Sequence, residues 1–324
     1  MNDFAVAGHR IVTLTMNPAL DITTSTEVVH STDKLRCTTP RYDPGGGGIN
    51  VAHVAEVLGA STTAVFPAGG SAGHMIEALL VAEGLTVHPV RIGGSTRESF
   101  TVDEHATGKQ YRFVLPGPEL TLAEQTECLL QLRKAAASAA VVVASGSLPP
   151  GVPPDFYQQV ADVCADIGAL FLLDTSGGGL KHVTSGVFLL KPSLRELREC
   201  LGRELSTETE QLAGANELIE RGCADHVLVS LGARGALLAT RQGGYRFSPV
   251  EVPAGSGVGA GDAMVSGVAV GLTRGWPLTK AVRLGIATGA AMLLTPGTAP
   301  CTRADAERLF ELAADPIDLD TVGG

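Results

Sequence analysis

Two hydrophobic periods alternate along the chain. Short apolar runs closed by Gly, Pro, Asn or Asp predict buried strands, and longer stretches with apolar residues three and four apart predict helices. The runs at 10–16, 63–67, 140–144, 169–173, 187–190 and 226–229 read as strands, the last turning back tightly into another at 236–240. Between them the helical period falls on 51–58, about 73–83, 122–138 and 155–167, and Arg195, Glu196 and Glu199 lie on a further helix. Two helices rich in small residues, about 262–274 and 278–293, close the pattern. Strand then helix, repeated, predicts an α/β fold, a mostly parallel sheet with helices on both faces. The runs at 87–92, 99–104 and 110–115 fall outside that rhythm, and the last alternates cleanly. They are therefore placed in a small separate sheet, whose lid segments are about 22–43 and 95–116. No repeat or linker divides residues 1–324, which read as one domain, and 315–324 read as a frayed tail.

Composition narrows the class. At 324 residues, 44% of them hydrophobic, the chain can bury a large core. No apolar run nears the ~20 residues that span a bilayer, and Met1 to His9 lack the basic-then-apolar order of a secretion signal. A cytoplasmic protein with no membrane partner is expected. The net charge of −10 argues against a nucleic-acid surface, although a phosphorylated small molecule needs only a few placed cations. Six scattered cysteines without a Cys-x-x-Cys pair read as reduced thiols. A His-Glu-x-x-His zinc motif, a P-loop and a strand-linked Gly-x-Gly-x-x-Gly fingerprint are all missing from the sequence.

Candidate chemistry concentrates in two glycine-rich stretches. In Ser256-Gly-Val-Gly-Ala-Gly-Asp262, alternate glycines lead into one carboxylate and then an apolar helix. A helix N-terminus attracts anions, phosphates above all, so a carboxylate there needs a reason. Asp262 has one if it takes a proton from a nucleophile while adjoining N–H groups hold the phosphate being attacked. Gly-x-Gly alone reads first as a turn with Asp262 near the N-cap, and the chemical reading depends on the rest of the chain. In Pro44-Gly45-Gly46-Gly47-Gly48-Ile-Asn50, four consecutive glycines precede an apolar helix. A ligand pressed on bare backbone, with the Asn50 amide donating and accepting, explains them better than a linker does. Asp21 is placed just past a strand end, as ligand or turn residue. Lys34 and Arg36 fall on one face of a possible strand, Arg97 is a phosphate clamp or a surface arginine, and the Ser145–Gly151 loop follows a strand's C-terminal end.

Together these stretches resemble the ribokinase-like, PfkB-type sugar kinases. The run from Gly45 to Asn50 and the run from Gly259 to Asp262 match that family's two signatures, and the resemblance extends over about residues 11–312. Lys34–Cys37, Phe66–Gly70, Tyr111–Gly117 and Ser145–Gly151 look like its phosphofructokinase branch, of the bacterial type 2 6-phosphofructokinase kind. Branches acting on tagatose 6-phosphate or fructose 1-phosphate usually carry lysine where this chain has Gly47, so the resemblance favours fructose 6-phosphate. Those two sugars are the alternative, and a non-catalytic sugar-phosphate or nucleotide sensor is the remote one.

The resemblance implies a three-layer ribokinase-like sandwich with a β-lid, and ATP-dependent phosphorylation at the C1 hydroxyl. Asp262 is implied as general base, with the N–H groups of Ala260 and Gly261, after Gly259, stabilising the transferred phosphoryl. Asp21, Gly46, Gly47 and Asn50, with Ser145 close by, would hold sugar hydroxyls, and Arg97 with a partner's Lys34 the 6-phosphate. The nucleotide would lie along Lys191, Ser193, Ser230, Gly232, Gly235, Ser256 and Val258. Mg²⁺ is implied, with Glu196 orienting a metal-bound water, and a monovalent cation such as K⁺ near Ser256, Val258, Thr295, Gly297 and Ala299. A homodimer formed by pairing lids is also implied. One departure stands out: the family's Asn-x-x-Glu is Ser193-Leu-Arg-Glu196 here.

Overall fold

The computed structural model describes residues 9–31, 34–253, 255, 257–295 and 299–319. Strand β1 (Arg10–Leu14) is followed by β2 (Ala19–Thr26) and β3 (Arg41–Gly45), then α1 (Gly47–Val57), β4 (Ser61–Ala68), α2 (Gly70–Ala82) and β5 (Thr86–Arg91). Next come β6 (Arg97–Glu104) and β7 (Gln110–Val114), α3 (Leu122–Ala135), β8 (Val141–Ser145), α4 (Phe156–Ile167), β9 (Leu170–Asp174) and the short α5 (Gly178–Lys181). The second half runs β10 (Val187–Leu190), α6 (Leu194–Leu201), α7 (Glu208–Glu220), β11 (Ala224–Ser230), β12 (Ala236–Thr240) and β13 (Gly243–Phe247). It closes with α8 (Ala260–Thr273), α9 (Leu278–Met292), α10 (Arg303–Leu312) and β14 (Ile317–Asp318).

The large sheet has ten strands in the order β14-β13-β12-β11-β10-β9-β8-β1-β4-β5. From β11 to β5 neighbouring strands are parallel, and β12, β13 and β14 add antiparallel edges. Its central strands read as continuous apolar runs because both faces are covered. In β8, Val142 and Ala144 join the core formed with α3, α4, α6 and α7, whereas Val141 and Val143 face α1, α8, α9 and α10. The chain leaves β1 towards β4 on one side and later returns at β8 on the other. That reversal opens a crevice beyond the carboxyl ends of β1 and β8, where open α/β sheets bind ligands.

Helix α8 borders this crevice, seated between α1 and α9. A Cβ on Gly267 would lie 2.8 Å from the Gly285 Cα, and one on Gly285 would lie 2.6 Å from the Met264 carbonyl. The small residues in these helices thus let two backbones touch, which fixes where α8 begins.

Three expectations about the fold change. The strand at 87–92 belongs to the large sheet: β5 pairs in parallel with β4 after the α2 crossover, so β4-α2-β5 is an ordinary βαβ unit. Residues 34–36 are not a strand, and Lys34 is exposed. The proposed tail is ordered at 317–318, where β14 pairs with Tyr245 and Arg246 of β13; residues 320–324 lie outside the described residues. Helices α7 and α10 and strand β13 have no counterpart in the sequence reading, their apolar periodicity being diluted by charged and glycine positions.

Candidate active site

The smaller sheet, ordered β3-β2-β6-β7, carries one face of the site. Asp21 is a residue of β2 and not, as expected, of a turn after β1; it stands opposite Asp43 on β3 and Ser99 on β6. Alternation puts Asp21, Thr23, Ser99, Thr101 and Arg112 on one face, and these residues line a cleft together with Val258. Burial pushes the Asp21 carboxyl above its ordinary value, although Arg97 and Arg112 pull the other way. Arg97 is held by its guanidinium, which donates to the carbonyls of Asn17 at 3.1 Å and Leu115 at 3.3 Å. Arg112 escaped the sequence reading. It is an exposed residue on an alternating strand, and only the β6–β7 register brings it to Asp21's face.

The four glycines turn out to serve the protein's own side chains. Helix α1 begins at Gly47, not at residue 51, with Gly46 as its N-cap at φ +123°, where a side chain would be strained. A Cβ at Gly45 would sit 2.2 Å from an Asp21 carboxylate oxygen, one at Gly47 2.2 Å from Ser145 Oγ, and one at Gly48 2.5 Å from the Leu14 carbonyl. Bare backbone here lets α1's first turn press into the crevice against both polar groups.

The result is a fixed carboxylate. Asn50, in the first turns of α1, donates its amide to Asp262 Oδ2 at 2.9 Å, and Ser145, ending β8, donates its hydroxyl to Oδ1 at 2.9 Å. Ser145 is itself buried, and the next carbonyl, of Gly146, accepts from Tyr157 Oη at 2.8 Å and Thr175 Oγ1 at 3.0 Å. Asp262 lies in the first turn of α8, behind the left-handed N-cap Gly259. Burial raises its pKa, with the Asn50 and Ser145 hydrogen bonds and Lys191 opposing. The Ala260 N–H makes a long 3.3 Å turn bond to the Gly257 carbonyl.

Beside Asp262 is a buried ion pair that the sequence did not announce. Lys191, just past β10, lies 3.1 Å from Asp174 at the end of β9, the side chains being 6% and 15% exposed. The pair lies close to the start of α8: a Cβ on Gly261 would be in ordinary contact with it, 3.6 Å from Lys191 Nζ and 3.9 Å from Asp174 Oδ2. Burial, with Asp262 and Glu196 adding to it and Lys191 opposing, pushes the Asp174 carboxyl up to about 6. Burial works against the charge on Lys191, but Asp174, Glu196 and Asp262 outweigh it and hold the ammonium above its ordinary pKa.

Ser193 and Glu196 form a capping box at the start of α6. The Ser193 N–H donates to Glu196 Oε2 at 2.8 Å, and the Glu196 N–H donates to Ser193 Oγ at 3.3 Å. The sequence's departure from Asn-x-x-Glu therefore builds a helix cap and commits one Glu196 oxygen to it. Ser230 is tied to this turn through its N–H to the Pro192 carbonyl at 3.0 Å, and Gly232 and Gly235 bound the 3₁₀ turn that follows β11. Val258 also lines a small hollow beside Asn50 and Gly259. Thr295 Oγ1 donates to the carbonyls of Met292 and Ala299, while Ser256 and Gly297 lie outside the described residues. Among the described residues no contact brings the exposed Lys34 to this site.

A carboxylate fixed at a helix N-terminus, beside a buried lysine and near a small sheet that sets Asp21 close to Arg97 and Arg112, is the arrangement expected of a phosphotransferase. The pfkB family carbohydrate kinase model matches residues 14–305. The chain belongs to the pfkB family. It is 66% identical over 310 residues to the ATP-dependent 6-phosphofructokinase isozyme 2 of Mycobacterium tuberculosis, covering 96% of this chain and 91% of that one. To the 1-phosphofructokinase of Bacillus subtilis it is 32% identical, over 87% of this chain and 91% of the relative. Phosphofructokinase-2 from Escherichia coli, solved with fructose-6-phosphate, superposes with a TM-score of 0.87 at 37% identity, covering 94% of this chain and 98% of that one. The same enzyme solved with potassium gives 0.89 at 38%, with the same coverage. The pfkB-family chain thus has the ribokinase-like α/β fold, and no helix among its described residues is long and apolar enough to cross a membrane.

Proposed function

We propose that this chain is an ATP-dependent 6-phosphofructokinase, converting fructose 6-phosphate to fructose 1,6-bisphosphate. The observation that carries the chemistry is the Asp262 carboxylate, fixed at both oxygens by Asn50 and Ser145 at the N-terminus of α8. Two such bonds leave lone pairs free to accept a substrate hydroxyl. As the C1 oxygen attacks the γ-phosphorus, its proton passes to Asp262, the bond to the bridging oxygen breaks, and ADP leaves. The first-turn N–H groups of α8 and the Lys191 ammonium sit where negative charge accumulates on the transferred group, and phosphoryl transfer depends mostly on such positioning and electrostatics.

Arg97 and Arg112 give the small sheet's inner face its charge for the 6-phosphate, and Asp21 accepts sugar hydroxyls. Nucleotide phosphates lie towards Lys191, with the base along the Ser193, Ser230 and Gly232–Gly235 turns. The Glu196 carboxylate, whose Oε1 lies 3.5 Å from Arg195 Nη2, and the Asp174 carboxylate suit a hard cation reached through water, and among the described residues no cluster of three acidic, His or Cys side chains would hold a metal unaided. Mg²⁺ carried by the nucleotide supplies charge neutralisation on the phosphates. K⁺ is placed at Val258, Thr295 and Ala299 on the family resemblance.

A panel of fructose 6-phosphate, tagatose 6-phosphate, fructose 1-phosphate and ribose, each with MgATP and K⁺, tests the substrate. The highest kcat/KM is expected for fructose 6-phosphate; a preference for another sugar would keep Asp262 and remove the branch assignment.

The pH profile follows from the same groups. Burial holds both Asp174 and Asp262 above the ordinary carboxyl value, so each takes up a proton earlier as pH falls. kcat/KM is expected to decline as pH drops through about 6. Asp174→Asn should move that limb to lower pH, whereas a limb left in place would belong to Asp262 or to the substrate phosphate.

The other face of the small sheet carries one cross-strand row, Tyr42, Ile22, Phe100 and Phe113, in which Ile22 packs against the core around Leu20, Ile76 and Leu80. Phe113 is 54% exposed and Tyr42 41%. A second copy covering this row would make a homodimer and bring a partner's Lys34 near the site. Sedimentation should show a dimer that Phe113→Glu converts to monomer; a monomeric native chain at micromolar concentration contradicts this.

A further inference from the structure

The turn between β11 and β12 closes on itself: the Leu231 N–H donates to the Gly235 carbonyl at 2.8 Å, and the Gly235 N–H to the Gly232 carbonyl at 3.0 Å. Gly235 has φ +87° and ψ −131°, and a Cβ on it would lie 2.2 Å from the Phe247 carbonyl. Only glycine fits this conformation, so the turn is pressed onto the end of β13. What fixes it there is one guanidinium. Arg246 donates through Nη2 to the Arg234 carbonyl at 2.6 Å, through Nη1 to the carbonyls of Phe247 and, at 3.4 Å, Ala236, and through Nε to Glu208 at 2.9 Å. Its side chain is 17% exposed. Glu208 opens α7, so a helix, a turn and strand β13 meet on one side chain. Four of the five donors of a guanidinium are spent, three of them on main-chain carbonyls, and the planar fork makes that possible where an ammonium could not.

We propose that Arg246, oriented by Glu208, is a positioning residue for the nucleotide: it sets the 231–235 turn against which ATP binds. The inference rests on the reading that Gly232 and Gly235 hold the nucleotide. Neither Arg246 nor Glu208 needs to touch ATP. Their effect passes through the turn, so it falls on the nucleotide and spares the sugar.

The test uses the full chain with Arg246→Ala, Arg246→Lys and Glu208→Gln, measuring KM for ATP and for fructose 6-phosphate, kcat, and the thermal midpoint. Arg246→Ala is expected to raise KM for ATP about tenfold, the scale of one lost charge-assisted hydrogen bond, with the sugar KM and kcat within about twofold. Arg246→Lys should move it in the same direction, because it keeps the charge and loses the fork. Glu208→Gln, which leaves every carbonyl contact in place, should raise it about threefold. Wild-type KM for ATP in the lysine variant, or equal rises for ATP and sugar in folded protein, would overturn the proposal. If the alanine variant does not fold, an unchanged KM for ATP in Glu208→Gln overturns it. Calorimetric titration of the wild type with ATP separates the two readings. Tight ATP binding in wild type and variants alike removes only the positioning role, and no ATP binding in the wild type removes the nucleotide site and this inference together.

Discussion

Asp262→Asn is expected to lower kcat by about 10³–10⁴-fold, the upper range for loss of a positioned general base. The amide is nearly isosteric, so the contacts at Asn50 and Ser145 can rearrange with little change in shape. What disappears is the proton acceptor. Nucleotide affinity should stay within about threefold of wild type, because the α8 N-terminus and Lys191 remain. Steady-state kinetics with calorimetric ATP binding checks both halves. Near-normal turnover would remove Asp262 from the mechanism, and a parallel loss of ATP binding would recast it as a structural residue of the α8 N-terminus.

The second large effect is expected at Lys191. Lys191→Met takes from Asp174 the cation of its buried pair and leaves Asp262 and Glu196 as charged neighbours. Breaking such a pair costs about 3–5 kcal/mol when the remaining charge is uncompensated. Asp174 escapes part of that cost by binding a proton. Its folded pKa, about 6 with Lys191 present, should rise further without it. A carboxyl raised above its unfolded value makes the folded state hold more protons than the unfolded one, so stability falls as pH rises through that range and recovers as pH falls. The deficit relative to wild type should therefore be largest at alkaline pH and shrink towards acid, as measured by urea unfolding at several pH values. Turnover should fall about 10²–10³-fold, as when one electrostatic donor to a transition state is removed. Wild-type stability at alkaline pH would mean that the buried pair contributes nothing to the fold.

The two glycine stretches were legible because few other residues permit what they do. Their exact function was less so. Glycine before a helix looks like a loop, since its propensity is poor, and only the coordinates show that Gly47 and Gly48 are already helical and that their missing side chains make way for Ser145 and Leu14. Asp262 and Asn50 stand just before clear apolar runs and Ser145 just after one, which is why all three could be named. Asp174 ends such a run too, but it gains meaning from Lys191 on the neighbouring strand, and strand order is not written in local periodicity. Arg112 was hidden for the same reason, since its alternation gives a face and not the partner. The strand at 87–92 was misplaced because β5 is an edge strand, apolar on its inner side only and broken by Pro89 and His88. Ser193-Leu-Arg-Glu196 is the opposite case, because its capping-box spacing is local and stands in the sequence itself.

The central claim is that this site moves a phosphoryl group from ATP to the C1 oxygen of fructose 6-phosphate. Its most direct test is ³¹P and ¹³C NMR of the product formed from ATP, Mg²⁺ and fructose 6-phosphate by the full chain, with Asp262→Asn as control. Fructose 1,6-bisphosphate and ADP in equal amounts, absent with the control, is the predicted result. ATP hydrolysed to free phosphate, or a sugar left unchanged at C1 by the wild type, would contradict it.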